Sequence, residues 1–279
     1  MTDPSLTVLM TVYHGTTAPH VRQALDSLYA QTRPAEEILL VQDGPVGEDV
    51  AEILAEAEAT RDEVRVLRRE NNEGNAVASA AAMATLRTEF YARQDSDDIS
   101  YPERFERQLA FLAEHPGVDL VGSAMTEFVD FPEQPTGVRA LPESPAEINR
   151  YLTINNPINH PTVMARVEAI RAVGGYQPVH LMEDYDLMAR LVADGKVLAN
   201  MTEELVYFRV GDAQLSRRTG LDMIHAELTM QRHLVDYGLV TAFRAVGNFL
   251  LRSTYRLLPK QLLTRVYRVL FHRRIHAER

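Results

Sequence analysis

The stretch that decides the fold is Phe90-Tyr91-Ala92-Arg93-Gln94-Asp95-Ser96-Asp97-Asp98, a short β-prone run that ends on three carboxylates within four residues. Before it lie three more apolar runs, Leu6–Thr11, Ile38–Val41 and Val64–Leu67, each followed by a helical pattern. The first helix has Thr17 at its N-cap position, Pro19 near its first turn, and Val21, Leu25 and Leu28 at helical spacing. The second spans about 49–59, and the third, rich in Ala, follows the turn cluster Asn71-Asn72-Glu73-Gly74-Asn75 and runs to Leu86. After the carboxylates, Pro102 opens a fourth helix through Leu112. Four such alternations predict a mainly parallel sheet with helices on both faces. Ligands of these sheets bind beyond the carboxyl ends of the strands, where both Asp43 and the Asp95–Asp98 cluster fall.

The rest of the chain is read more coarsely. A strand is expected over Val118–Val129, then a loop from Phe131 to Pro145 with four prolines, and a helix over 146–154. Asn155-Asn156-Pro157-Ile158-Asn159-His160-Pro161 is interrupted by two prolines and is read as irregular. Gly174-Gly175 makes a second break. A helix starts near Glu183 with Leu181, Tyr185, Met188 and Val192 on one face, and a last strand covers Leu205–Val210. From about Ser216 onward the pattern is helical. The expected organisation is a catalytic α/β domain over 1–215 and a helical extension over 216–279.

Three carboxylates in four residues repel one another, and a divalent cation is the usual remedy. Hard oxygen ligands suit Mg²⁺ or Mn²⁺, and Mg²⁺ takes its remaining ligands from phosphates and water. The bland reading is an acidic turn capping the helix at Pro102; the position at a strand's carboxyl end favours the metal. Glu183-Asp184-Tyr185-Asp186 is open between acids complementing a helix dipole and a general base for a substrate hydroxyl. Asp43, before Gly44, reads on its own as a turn residue, although a carboxylate there can also accept from a nucleobase or a ribose hydroxyl. His160 sits in the proline-interrupted loop, either simply exposed or in reach of substrate.

Composition narrows the classes. The 279 residues contain no Cys, which excludes disulfide scaffolds, thiolate metal sites and cysteine nucleophiles. No HExxH, GxSxG or P-loop pattern is present, and no GxGxxG follows the first strand. No run of 18 apolar residues occurs, and the N-terminus lacks a signal-peptide pattern, so a cytoplasmic protein is expected. The net charge of −10 argues against nucleic acid as a partner. That average hides a split: Arg244–Arg279 holds nine basic residues and one acid, so the last 36 residues carry +8 and the preceding 243 carry −18. Within this tail Leu262, Leu263, Val266, Tyr267, Val269 and Leu270 fall on one side of a helix, with Arg265, Arg268 and His272 on the other. Such a helix suits an anionic membrane surface, the acidic body of the protein itself, or a homo-oligomer contact.

Taken together, these features resemble a bacterial family 2 glycosyltransferase of the GT-A, inverting type, in the branch that includes amylovoran-biosynthesis galactosyltransferase-like proteins. The resemblance runs through Val8-Leu9-Met10-Thr11-Val12-Tyr13, Gln42-Asp43-Gly44-Pro45, and Ala92–Ser100 with Pro102, Arg104-Phe105 and Gln108. It continues through Asn156–Met164, Gly174-Gly175-Tyr176, Glu183–Leu187 and Arg217-Arg218. It implies a GT-A fold and transfer of a sugar from a UDP- or dTDP-sugar to a glycan or lipid-linked acceptor in cell-surface polysaccharide synthesis; the basic tail adds the expectation of peripheral association with the inner face of the cell membrane. Tyr13 and Asp43 would line the nucleoside pocket, Asp95 would lie by the ribose and diphosphate, and Asp97 would hold Mg²⁺ or Mn²⁺, with Asp95 beside it. Asp184 would be the base, with Glu183 next to it. Arg93 would assist the sugar or diphosphate, and His160 and Asp186 would belong to the acceptor region.

The chain departs from the family in places. Met10 and His14 replace a frequent Pro and Asn, Ala80-Ala81 stands where Arg-Asn is common, and Gly211 stands where a metal-binding His often follows the last strand. Arg209, Asp212 or Arg217-Arg218 would then serve the diphosphate. Two other classes compete. A sugar-phosphate nucleotidyltransferase needs a Gly-rich loop that His14-Gly15-Thr16-Thr17 does not supply. A catalytically silent nucleotide-sugar-binding scaffold sits poorly with intact Asp97 and Asp184.

Overall fold

The computed structural model describes residues 4–211, 221–256 and the pair 272–273. The four expected βα units are present: β1 (Leu6–Val12), α1 (Ala18–Tyr29), β2 (Glu37–Gln42), α2 (Glu48–Thr60), β3 (Val64–Arg68), α3 (Asn75–Thr85), β4 (Phe90–Asp95) and α4 (Arg104–Glu114). Strands β3, β2, β1 and β4 are neighbours in that order and all parallel. In β1, Leu9 packs on one face of the sheet while Val8 and Met10 pack on the other, so the strand is buried on both sides and reads as a continuous apolar run. Helices α1, α2 and α4 cover the second face, and α3 the first.

Beyond β4 the sheet is mixed, and here the structure corrects the sequence reading. A two-residue strand, β5 (Ile99–Ser100), follows directly on the acidic cluster. Strand β6 (Leu120–Phe128) falls within the expected run, and β7 (Gly137–Arg139) lies inside the stretch read as loop. Helix α5 (Pro145–Leu152) carries a full capping box, Ser144 with Glu147. The irregular segment ends in a short 3-10 turn, His160–Thr162, and runs into β8 (Met164–Arg166) and α6 (Val167–Ala172), both missed from sequence. β8 is antiparallel to β4 and to β6, and so reverses the sheet where the strand order turns. After α7 (Glu183–Ala193), β9 (Leu198–Arg209) begins seven residues before its expected start. Its exposed centre, Thr202 and Glu203, hides the apolar first half from a pattern reading, and the register against β6 shifts at Ala124.

One glycine fixes a close approach at the site's edge. Gly44 has φ +79°, and a Cβ there would lie 2.5 Å from the backbone nitrogen of Asn72. The turn after β2 therefore packs directly on the turn that leads into α3.

The expected C-terminal helices appear as α8 (Leu221–Asp236) and α9 (Ala242–Arg256). Met223, Ala226, Met230 and Leu234 of α8 join the core cluster containing Tyr185, Leu187 and Met188 of α7. α8 thus shares the core of the α/β body. Strand β10 (His272–Arg273) pairs antiparallel with β7. The amphipathic pattern over 262–270 lies outside the described residues.

Candidate active site

A cleft of about 680 Å³ opens beyond the carboxyl ends of β1 and β4, the position the topology predicts. Arg93 is its hub. The side chain is 3% exposed, and its guanidinium donates to Asp95 Oδ1 at 2.8 Å, Ser79 Oγ at 3.1 Å, Thr11 Oγ1 at 2.9 Å and Asn75 Oδ1 at 2.9 Å. Behind it the fully buried Arg104 donates to the Arg93 carbonyl at 2.8 Å and to Ser100 and Gln94, and its Nε donates to Gln108. That explains why Arg104 and Gln108 accompany the acidic cluster in sequence: they brace the end of β4.

The acidic cluster divides into three different groups. Burial alone would push the Asp95 carboxyl up, but the Arg93 charge, with other positive neighbours, more than offsets this and holds it below the usual range. Asp97 lines the cleft. Asp98 turns inward: one oxygen accepts from the Arg209 backbone N–H at 2.8 Å, and the other is buried without a hydrogen bond. Burial first, then the charges of Asp97 and Asp95, push its carboxyl well up. The repulsion expected of three acids is eased by the Arg93–Asp95 ion pair and by Asp98 turning away from the other two.

Opposite, Glu183 and Asp184 open α7, two residues after Leu181, whose φ of 59° makes it the one non-glycine with positive φ among the described residues. Asp184 Oδ2 accepts from Asn156 Nδ2 at 2.8 Å and Oδ1 from the Tyr185 N–H at 2.7 Å. Burial, then the neighbouring Glu183 charge, raises Asp184 to about 6. Glu183 accepts from Asn75 Nδ2 at 3.3 Å, so Asn75 ties the two acidic centres together. His160 lines the cleft between them, with Nε2 2.8 Å from the Tyr176 hydroxyl. Burial, then Arg93, lowers its imidazolium to about 4, so the ring is neutral. Tyr13 stands at the cleft wall, 38% exposed.

Three of the expected residues are held by bonds of their own within the protein. Asp186 does not face the cleft. It is fully buried and binds Arg190 at 2.8 Å, His233 at 2.8 Å and the Tyr237 hydroxyl at 2.8 Å, which anchors α8 on α7. Asp43 is 2% exposed and accepts from the backbone N–H groups of Glu73 and Gly74 at 3.1 and 2.8 Å. It holds the turn before α3. Arg209 is 9% exposed and donates to the carbonyls of Asp97, Val129 and Asp130 and to Gln23. These bonds hold the acidic turn rather than reach toward a diphosphate. Asp212 and Arg217-Arg218 lie outside the described residues. Sequence reasoning gave no role to Asn75 and Asn156; the only signal was their place in a turn cluster and in a Pro-interrupted loop at the strand ends.

The family model for glycosyl transferase family 2 matches residues 7–174. The chain belongs to this family. It is 35% identical over 93% of its length to an uncharacterised glycosyltransferase of Haemophilus influenzae, covering 96% of that protein. It is 32% identical, again over 93% of its length, to the amylovoran biosynthesis glycosyltransferase AmsE of Erwinia amylovora, covering 97% of it. A UDP-Gal:alpha-D-GlcNAc-diphosphoundecaprenol beta-1,3-galactosyltransferase of Escherichia coli is 27% identical over 97% of the chain and 98% of its own length. Among solved structures, S. aureus TarS 1–349 in complex with UDP-GlcNAc superposes with a TM-score of 0.67 at 17% identity, over 89% of this chain and 72% of that one. The fold is GT-A, and the protein is a glycosyltransferase.

This glycosyltransferase offers a cation hard oxygens at Asp95 and Asp97. Among the described residues no set of three or more His, Asp or Glu side chains is arranged to hold a metal. Two carboxylates fit Mg²⁺ or Mn²⁺ that completes its shell with phosphate and water.

Proposed function

We propose that the protein is a divalent-metal-dependent inverting glycosyltransferase that moves a hexosyl group from a nucleotide sugar, UDP- ahead of dTDP-, to a hydroxyl of a glycan or lipid-linked acceptor. The observation that carries this reading is Asp184, a carboxylate raised to about 6, held by Asn156 across the cleft from the Arg93–Asp95–Asp97 group. A base near this value is ionised at neutral pH and still basic enough to take a hydroxyl proton. Asp184 removes that proton from the acceptor. The acceptor oxygen bonds to the anomeric carbon as the bond to the nucleoside diphosphate breaks on the opposite face, and the configuration inverts in one step. Asp95 and Asp97 would hold Mg²⁺ or Mn²⁺, whose charge supplies stabilisation of the departing diphosphate. Arg93 keeps Asp95 ionised for that task. The UDP preference draws on the UDP-GlcNAc complex of TarS and on the UDP-Gal named for the E. coli relative.

The E. coli relative's name specifies an acceptor on diphosphoundecaprenol, and this supports a lipid-linked acceptor and work at the inner membrane face. No helix among the described residues is long and apolar enough to cross a membrane. α9 nevertheless exposes Phe243, Val246, Leu250 and Leu251, contains no acid, and packs on Thr153–Asn155 beside the cleft through Arg244, Asn248 and Arg252. Together with the +8 tail this favours a surface-bound enzyme. Screening UDP- and dTDP-sugars with Mn²⁺ and Mg²⁺, and identifying the product, tests the activity. Co-sedimentation with vesicles rich in anionic lipid tests the location: binding lost on deleting 244–279 supports it, and unchanged binding contradicts it.

A further inference from the structure

His160, at the cleft wall, heads a chain of three polar rings that runs into the core. Its Nε2 lies 2.8 Å from the Tyr176 hydroxyl, which lies 3.2 Å from the Tyr91 hydroxyl. Tyr91 is fully buried and Tyr176 is 2% exposed, so neither hydroxyl has water as an alternative partner. Tyr91 makes no other side-chain hydrogen bond among the described residues, and His160 Nδ1 makes none either.

Counting hydrogens fixes the direction of the chain. The ring is neutral and carries one N–H. Two links need two hydrogens, and the two phenols already supply them. If Nε2 carried the proton and donated to Tyr176, the two phenol hydrogens would share the one remaining link, and one of them, that of Tyr91 or of Tyr176, would be stranded in the core. Stranding a buried donor is costly. If Tyr91 donates to Tyr176 and Tyr176 donates to Nε2, no hydrogen is stranded, and the imidazole proton sits on Nδ1.

We propose that the Tyr91–Tyr176 pair locks His160 in its Nδ1–H form, and that this N–H donates to a hydroxyl of the sugar being transferred. The place of the ring supports the choice of ligand. His160 lines the same cleft as Arg93 and Asp95 at the leaving-group end and Glu183 and Asp184 at the base end. A group lying between the leaving-group end and the base end of this cleft is the transferred sugar. The ligand assignment rests on the proposed transferase activity; the tautomer does not. His160 is thus a specificity contact whose donor character is set by two core tyrosines.

The test has two arms. Nitrogen-15 spectra of His-labelled full-length protein, with the His160 ring assigned by its loss in His160→Gln, report the tautomer directly. Protonated Nδ1 and unprotonated Nε2 are expected; a proton on Nε2 overturns the proposal. The second arm compares binding of UDP with that of UDP-sugars. His160→Ala should weaken the accepted UDP-sugar about tenfold and leave UDP unchanged. His160→Asn, whose amide reaches the Nδ1 position, should recover more of the loss than His160→Gln, whose amide reaches the Nε2 position. Equal weakening of UDP and UDP-sugar, or better rescue by Gln, overturns the sugar assignment. If the wild type binds no nucleotide, the transferase reading fails while the spectra still decide the tautomer.

Discussion

Asn156 donates its side-chain N–H to Asp184 Oδ2 at 2.8 Å, from a loop whose prolines bar it from regular structure. The bond favours the charged carboxylate and works against burial and the adjacent Glu183 charge, which raise Asp184 to about 6. Transfer should therefore rise with pH through about 6 as the base ionises. Asn156→Ala removes one contribution that lowers the value, so the acid limb of the kcat/KM profile should move to higher pH. A profile of pH against rate for the two proteins checks this, and an unmoved limb would dissociate Asn156 from the base.

Stability should register the same group. In the unfolded chain Asp184 titrates near 3.8, and in the folded protein near 6. Between these values the folded state holds a proton the unfolded chain has released, so this contribution to stability falls as pH rises through the window. Above 6 the ionised, partly desolvated carboxylate carries the full cost. Asp184→Asn should accordingly raise Tm relative to wild type more at pH 8 than at pH 4, measured by thermal denaturation in matched buffers.

Arg93 ties β4 to β1 and α3 and keeps Asp95 ionised. Arg93→Met takes the partner from Asp95, whose side chain is 28% exposed, and the donors from Thr11, Ser79 and Asn75, and a loss of about 1–3 kcal/mol is expected in denaturant unfolding. The Asp95 carboxyl should move up, and Mn²⁺ affinity, read by titration calorimetry, should fall with it.

Asp186 provides the contrasting case. It joins Arg190, His233 and Tyr237 away from the cleft. Asp186→Ala should cost about 3–5 kcal/mol of stability by stranding Arg190. The rate per folded molecule and the acceptor KM should stay at the wild-type values, whereas an acceptor-binding role requires the KM to rise.

How legible the molecule was from its residues follows from this contrast. The four βα units show through because β1, β2 and β4 are buried on both faces, β3 keeps an apolar face at the sheet edge, and each is closed by a turn at the sheet's carboxyl edge, so apolar run and punctuation coincide. β8 is hidden because its three residues continue the Val163 stretch without a break, and the first half of β9 because Thr202 and Glu203 are solvent-exposed in mid-strand. Within the site, Asp95, Asp97, Glu183 and Asp184 were legible as acids at strand ends and at a helix start. Their division of labour was not: Asp98 and Asp186 have the same side chain as their neighbours and differ only in which way the backbone aims them. The partners that decide this, Arg209, His233 and Tyr237, come from 47 to 111 residues later in the chain. Asn75 and Asn156 look like turn residues because they are turn residues; their bonds to carboxylates depend on the assembled cleft.

The central claim is a single inverting displacement with Asp184 as base. The most direct measurement is transfer from the accepted nucleotide sugar by wild type and by Asp184→Asn, with the anomeric configuration of the product read by proton NMR. The account predicts a product of inverted configuration from the wild type. For Asp184→Asn it predicts a turnover lower by about 10²–10⁴-fold with nucleotide binding retained. Full transfer by Asp184→Asn, or a product that keeps the donor's configuration, would contradict it.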